Sequence, residues 1–200
     1  GQGFAGGLAV LAERFALPAG WARGLTAGAT REPAPAGASS GTGVAVGPHH
    51  LLSNAHVVED AARIDVVVGG VRSEATLAFA DPRNDLALLH VERPLAVLAC
   101  FRPTLDLHLG EDVVVLGYPL QGLLGTGPQA SAGNIAALCG IGNDSGVFQF
   151  TAPISSGNSG GPILDMAGHL LGLVSSSLDT DRLRQSGANA QNINFGIKAG

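Results

Sequence analysis

The sequence predicts an all-β fold, and two observations support this prediction. From residue 40 onward, short runs rich in Val, Ile and Leu recur between turn residues, and no long amphipathic helix separates them. A parallel α/β sheet would place a helix between most of its strands, so the pattern favours an antiparallel barrel or sandwich. In chain order the runs are SGTGVAVG, HLLSNA, IDVVVGG, EATLAFA, LALLHV, DVVVLGY, ASAGNIAAL, VFQFTA, GPILDM, HLLGLVSSS and INFGIKA.

The runs form two groups of similar size, and a segment of different character precedes them. Residues 1–37 contain a helix-favouring piece, LAVLAERFAL, and a connector rich in Gly, Ala and Pro. We therefore expect an N-terminal extension and a linker there. Residues 92–110 contain two prolines and little strand-like alternation. This stretch is predicted to connect the two β units.

Composition narrows the class of protein. With 200 residues, 46% hydrophobic and 14% charged, the chain can bury a core. The net charge is -5 and the basic residues are scattered, which argues against a nucleic-acid partner. Glu13 and Arg14 interrupt the most apolar N-terminal stretch well before the ~18 apolar residues that a membrane span requires. No signal peptide is recognised in the given chain.

One short stretch, SSGNSGGPILD, suggests chemistry because it places Ser159 among glycines ahead of an apolar run. A serine hydroxyl is a weak nucleophile at neutral pH. It requires a base to take its proton and donors to receive the developing negative charge.

Two upstream stretches supply candidate partners for this serine. His56 follows a strand-like run in LLSNAHVVED, and Asp85 directly precedes an apolar strand in DPRNDLALLHV. Asp81 is the alternative carboxylate, but it precedes Pro82 and is typical of a turn residue. The preferred order along the chain is therefore His, Asp, Ser.

A different hydrolase arrangement also fits the serine motif. GNSGG matches the G-x-S-x-G elbow of α/β-hydrolases, in which the acid and the histidine follow the serine. The only histidine after Ser159 is His169, which lies in a predicted strand. Because the surroundings are also rich in β-strand signals, we consider this alternative disfavoured.

Taken together, these stretches resemble the trypsin-like (chymotrypsin-fold) serine proteases, and most closely the bacterial HtrA/Deg-like branch. The resemblance covers about residues 40–199. It implies a trypsin-like protease domain over residues 38–200, made of two antiparallel six-stranded β-barrels. The first barrel would span about residues 38–95 and the second about 106–200, with the active site in the cleft between them.

The resemblance also implies a role for each residue of the motif. Ser159 would attack the scissile carbonyl, His56 would act as general base and then general acid, and Asp85 would orient the imidazole. The backbone N–H groups of Gly157 and Ser159 would form the oxyanion hole. Asn158 departs from the digestive enzymes of this family, which have an Asp there to pair with a newly cut N-terminus. Activation of that kind is therefore not expected here.

The expected specificity rests on the same resemblance. The residue six positions before the serine is Pro153 rather than an acid, which disfavours cleavage after Lys or Arg. We expect cleavage after small or medium apolar residues. The residues predicted to bind substrate are Pro153, Val174, Ser175, Ser176, Ser177 and Ile193, and the loops at 119–129 and 178–191 could cover the cleft.

The remaining expectations concern partners and alternatives. Polypeptides are the expected substrates, export to the periplasm or the cell exterior is the expected location, and no cofactor or metal is expected. The adjacent His49 and His50 are interpreted as hairpin-turn residues. Cys100 and Cys139 are interpreted as buried small residues, with a disulfide as the alternative. The alternative function is a catalytically silent, protease-like domain that binds peptides.

Overall fold

Antiparallel strands dominate the part of the chain that the computed structural model describes. This part comprises residues 26–27 as backbone, 40–104, 106–118, 127–155, 157–175 and 193–199. Its strands form two six-stranded sheets. The predicted all-β, two-unit architecture is thus confirmed.

The first sheet has the strand order β1-β2-β3-β6-β5-β4, and every pairing in it is antiparallel. Its edge strands β1 and β4 also contact each other, so the sheet curls round its own core. Its elements are β1 (Thr26–Ala27), β2 (Gly43–Gly47), β3 (His50–Ser53), α1 (Ala55–Val58), β4 (Ile64–Val68), β5 (Val71–Asp81) and β6 (Leu86–Val91).

The second sheet closes into a barrel with the order β10-β11-β12-β9-β8-β7. Its strands are also antiparallel throughout. Its elements are β7 (Asp112–Gly117), β8 (Gln129–Ala137), a 3₁₀ turn (Ile141–Asn143), β9 (Val147–Phe150), β10 (Pro162–Leu164), β11 (Leu170–Ser175) and β12 (Asn194–Lys198).

The strands follow the sequence runs closely, with two exceptions near the first sheet. The run LALLHV is β6 from end to end, whereas HLLSNA ends as a strand at Ser53 and is followed by the single turn of α1. Strand β1 lies within residues 1–37, the predicted extension, and pairs Thr26 with Val44 and Ala27 with Gly43. Part of that segment therefore belongs to the first sheet.

Each sheet has its own apolar core, and a third cluster joins the two. Burying a Val or Leu side chain contributes about 1.5–3 kcal/mol, so this shared cluster is a substantial part of what holds the sheets together. It consists of Val44 from β2, Val114 and Leu116 from β7, Leu164 from β10, and Leu170 and Leu173 from β11.

The connection at 92–110 runs along both sheets. The N–H of Ala99 donates to the carbonyl of Ala45 in β2 at 2.8 Å, and the carbonyl of Cys100 accepts from the N–H of Leu170 in β11 at 2.7 Å. The connection is therefore hydrogen-bonded to both sheets, and its Leu95 is part of the first sheet's core.

Candidate active site

His56 and Asp85 meet at one end of the first sheet, where β3 ends and β6 begins. His56 lies in α1, just after β3, and Asp85 lies in the turn between β5 and β6. The imidazole Nδ1 is 2.9 Å from Oδ1 and 2.8 Å from Oδ2 of Asp85, and the backbone N–H of His56 donates to Oδ1 at 3.0 Å. The His56 side chain is 29% exposed and that of Asp85 is 6% exposed, so the imidazole is accessible above a buried carboxylate.

Asp85 is held in an unusual backbone conformation. Its φ is +54°, the left-handed region that non-glycine residues seldom adopt. Asn54, which is fully buried, donates from Nδ2 to the Asp85 carbonyl at 3.0 Å. Because this bond fixes the Asp85 peptide, Asn54 helps to hold the carboxylate against His56.

Asp81, the alternative carboxylate, accepts hydrogen bonds within the turn between β5 and β6 instead. Its oxygens accept from the N–H groups of Arg83 and Asn84 and from the Asn84 side chain. The Asn84 side chain and N–H are the main reasons why the pKa of Asp81 lies below its ordinary value. The structure therefore brings Asp85 to His56 and leaves Asp81 in the exposed turn.

The charge of Asp85 is stabilised by its partners. Burial opposes ionisation, but hydrogen bonds from the His56 side chain and backbone and from Ser175 outweigh it and hold the pKa of Asp85 below its ordinary value. The Ser175 hydroxyl donates to Oδ2 at 2.9 Å and comes from β11 of the second sheet. Asp85 is consequently a carboxylate at neutral pH, and its oxygens accept hydrogen bonds from residues of both sheets.

Ser159 reaches the same region from the second sheet. It is 4% exposed, and its carbonyl accepts from the N–H of Thr42 at 2.8 Å. The next residue, Gly160, has φ +79°, and a Cβ there would collide with the Thr42 carbonyl and the Ser53 hydroxyl. Only glycine allows this approach, which brings the Ser159 loop against the end of β3 that leads to His56.

The loop before Ser159 forms a closed turn. The N–H of Asn158 donates to the Ser155 carbonyl at 3.0 Å, and Gly157 has φ +96°. A positive φ of this size is disfavoured for residues with a Cβ, and it favours glycine at this position. Asn158 is 7% exposed, and in the described part of the chain its Oδ1 has no hydrogen-bond partner.

The predicted substrate-binding residues have different surroundings. Pro153 is exposed, and Ile193 is 39% exposed beside Asn194, whose Nδ2 donates to the Ala152 carbonyl at 2.8 Å. This bond joins the residues that are next to Ile193 and Pro153 in the sequence. By contrast, the Val174 side chain is fully buried in the barrel core, and its backbone bonds to Gly160 and Gly161.

The remaining predicted substrate-binding residues are three consecutive serines, Ser175, Ser176 and Ser177. The Ser175 hydroxyl is bonded to Asp85, a contact that the sequence did not predict. Ser176 and Ser177 lie outside the described residues, as do nearly all of the loops at 119–129 and 178–191.

Other candidate sites can be assessed within the described ranges. In those ranges no group of His, Cys, Asp and Glu has a metal-binding arrangement, and no helix is long and apolar enough to cross a membrane. His49 and His50 each contact the ring of His90, and His49 also bonds through Nδ1 to the Val91 carbonyl. Cys100 and Cys139 are both free thiols, and neither is buried. The interpretation of the cysteines as buried was therefore wrong.

Sequence reasoning missed two buried residues of this site. Thr42 contacts the Ser159 loop and Asn54 contacts Asp85. Both lie inside stretches already singled out, SGTGVAV and LLSNAHVV. Asn54 is two residues before His56, and this proximity is the sequence signal for it, whereas Thr42 is 115 positions from Gly157 and has no local signal.

Comparisons with known proteins identify the family of this chain. A family model described as a trypsin-like peptidase domain matches residues 41–173. The protein y4bJ of Sinorhizobium fredii is 41% identical over 82% of this chain and 26% of its own length. A DegP-like periplasmic serine endoprotease of Brucella suis is 33% identical over 62% of this chain and 25% of its own length. This chain thus spans about a quarter of the length of these relatives.

A solved structure extends the similarity to the fold. The crystal structure of a serine endoprotease from Yersinia pestis has a TM-score of 0.70 and 28% sequence identity. The alignment covers 88% of this chain and 59% of that one.

Proposed function

The chain belongs to the trypsin-like peptidase family, as a serine endopeptidase domain of the HtrA type, and from this premise we propose that His56, Asp85 and Ser159 are its catalytic triad. The observation that carries the proposal is the buried Asp85 carboxylate, with both oxygens within 2.9 Å of the His56 Nδ1. The packing of Gly160 against Ser53 supports the same assignment, because it brings the Ser159 loop, here called the nucleophile loop, to the end of β3 that precedes His56.

The proposed reaction uses the two nitrogens of His56 differently. Nδ1 carries the proton that is donated to Asp85, so Nε2 of the neutral ring has the lone pair. Ser159 Oγ attacks the carbonyl carbon of the scissile bond and its proton moves to Nε2. The imidazolium then protonates the leaving amine as the C–N bond breaks, which leaves an acyl-enzyme. Water, deprotonated by the same nitrogen, hydrolyses the acyl-enzyme and regenerates Ser159.

Asp85 contributes orientation and charge. The pKa of Asp85, which is below its ordinary value, keeps the carboxylate ionised while His56 becomes positively charged, so the imidazolium pairs with a buried negative charge. Ser175 supports this role because its hydroxyl bond to Oδ2 favours the carboxylate form.

We propose that the N–H groups of Gly157 and Ser159 receive the negative charge of the tetrahedral intermediate. The positive φ of Gly157 and the closed turn from Ser155 to Asn158 support this proposal, because they fix the backbone of the donor segment before substrate arrives. Removing one donor of this kind typically costs about 10²–10³ in rate.

We further propose that cleavage follows small or medium apolar residues. Pro153 and Ile193 support this specificity because both are accessible and neither has a charge to pair with Lys or Arg. Digestion of a peptide library, with cut sites mapped by mass spectrometry, tests the proposal. A majority of cuts after Lys or Arg would refute it.

The decisive experiment for the triad combines activity with covalent labelling. Wild type should cleave an unfolded protein substrate and react with a fluorophosphonate at Ser159. Ser159→Ala and His56→Ala should be folded and inactive, whereas Ser145→Ala, at an exposed serine in the turn before β9, should retain activity. Substantial cleavage by Ser159→Ala would refute the triad. A folded wild type that binds peptides without cleavage or labelling would support the catalytically silent alternative.

The remaining proposals concern boundaries and location. We propose a protease domain over residues 38–200, with barrel units at about 38–95 and 106–200, that acts on polypeptides. Strand β1 adds residues 26–27 to the first of these units. We also propose that the protein is exported, which the periplasmic description of the Brucella suis relative supports. Fractionation of the producing cells tests the location, and recovery of all the protein in the cytoplasm would contradict it.

A further inference from the structure

Thr42 is a buried residue of the first sheet that makes several hydrogen bonds, three of them to residues of the second sheet. It directly precedes β2 and is 2% exposed. Its N–H donates to the Ser159 carbonyl at 2.8 Å, and its hydroxyl donates to the Gly157 carbonyl at 2.8 Å. The hydroxyl also accepts from the Tyr118 N–H at 3.1 Å, and the Thr42 carbonyl accepts from the Ser53 hydroxyl at 2.8 Å.

The direction of these bonds is determined by chemistry. A hydroxyl has one proton, and a backbone N–H can only donate. Because Tyr118 donates to Thr42 Oγ1, the hydroxyl proton is directed to the Gly157 carbonyl. The last residue before the 119–129 loop therefore orients the contact that Thr42 makes with the nucleophile loop.

The two bonds to the nucleophile loop enclose one peptide. Thr42 holds the carbonyls of Gly157 and Ser159, and the peptide between Asn158 and Ser159 lies between these two fixed points. The N–H of that peptide is one of the two proposed oxyanion donors, and the N–H of Gly157 is next to the first fixed point. Glycine in this segment has little conformational preference of its own, so an external restraint determines where the donors point.

We infer that Thr42 is a positioning residue for the oxyanion hole: its hydroxyl fixes the Gly157–Ser159 backbone so that the donors are preorganised. This inference rests on the proposed function of that segment. The β-branched side chain suits the role, because a branched Cβ restricts χ1 and so holds the hydroxyl in one direction. The methyl group lies near Gly161, where a Cβ would be 3.4 Å from Thr42 Cγ2.

The test compares substitutions that differ in their ability to donate. Thr42→Val keeps the shape and removes the hydroxyl, Thr42→Ser keeps the hydroxyl, and Thr42→Cys has a weakly donating thiol. Ser53→Ala is the matched control, because it removes a buried hydroxyl that bonds to the Thr42 carbonyl rather than to the loop. Each variant is assayed for kcat and KM on one peptide and for its rate of fluorophosphonate labelling.

We expect kcat of Thr42→Val to fall about 10- to 100-fold, which is less than the loss of an oxyanion donor outright. KM should change less than about 2-fold, since the substrate-binding residues are untouched. Thr42→Ser should restore most of kcat, Thr42→Cys should be intermediate, and Ser53→Ala should be close to wild type. Labelling rates should follow kcat, because phosphonylation uses the same donors.

The inference would be overturned by a folded Thr42→Val protein with wild-type kcat, or by a loss of kcat that Thr42→Ser fails to restore. It would also be overturned if Ser53→Ala lost as much kcat as Thr42→Val, since that pattern indicates a general packing defect. If Thr42→Val does not fold, equal kcat for Thr42→Ser and Thr42→Cys overturns it. Failure of the proposed function is distinct, because wild type itself would then be unlabelled.

Discussion

Substitution of Ser175 by alanine tests the electrostatic role of the buried hydroxyl behind Asp85. A hydrogen bond to a charged group contributes about 1.5–3 kcal/mol. Asp85 keeps its bonds from the His56 N–H and Nδ1 in the variant, so we expect a value near the lower end, about 1.5 kcal/mol at neutral pH. A comparable loss of transition-state stabilisation corresponds to about a 10-fold lower kcat/KM.

The stability difference should depend on pH in a specific direction. The folded-state pKa of Asp85 is below its ordinary value of 3.8, so its contribution is present above that value and is lost as the pH falls through the folded-state pKa. Ser175→Ala raises the folded-state pKa, so the variant has less stability to lose. The difference between wild type and variant should therefore be constant near neutral pH and shrink in acid.

Urea unfolding at a series of pH values measures this difference. Ser131→Ala is a suitable control, because the Ser131 hydroxyl is buried and has no partner in the described part of the chain. It should show no loss that varies with acidity. A Ser175→Ala difference that stays constant from neutral pH through the acid range would refute the reasoning, since it would mean that the hydroxyl does not distinguish the charged form of Asp85.

Three other substitutions test the geometry of the site. Asp85→Asn should lower kcat by about 10⁴ by favouring the wrong imidazole tautomer, whereas an equal loss in Asp81→Asn would show that the carboxylates are misassigned. Gly160→Ala should reduce both stability and kcat because its Cβ would collide with the first sheet. Gly69→Ala is the control, because Gly69 has φ +59° but open space around it; in thermal unfolding it should lose only the ~1–2 kcal/mol that backbone strain costs. Asn54→Leu should destabilise by about 1–3 kcal/mol because it leaves the Asp85 carbonyl unpaired; unchanged stability and kcat/KM would contradict the role given to Asn54.

The strands were predictable from sequence because their signals are local. Runs of apolar residues between turn residues identified β6 and β7 almost to the residue. Strand β1 was missed because two residues have no pattern of their own, and its pairing with Val44 and Gly43 depends on distant chain. The four-residue helix α1 is likewise too short for helical periodicity to be recognised.

The candidate catalytic residues could be identified from motifs, but the residues that hold them could not, because their partners are far apart in sequence. Ser175 and Asp85 are 90 positions apart, and Thr42 and Gly157 are 115 apart. Serine and threonine are common in strands and turns, so neither residue is distinctive until its partner is known. The apolar contact between the sheets is what brings these pairs together.

The site is therefore assembled at the interface of the sheets rather than within either one. His56 and Asp85 belong to the first sheet, but the Ser175 hydroxyl that satisfies Asp85 belongs to the second. Conversely, the Ser159 loop belongs to the second sheet, but Thr42 of the first sheet bonds to it twice. Because these reciprocal bonds are buried, separating the sheets would leave polar groups unpaired on both sides. The same bonds that position the candidate catalytic groups thus also favour the docked arrangement of the sheets.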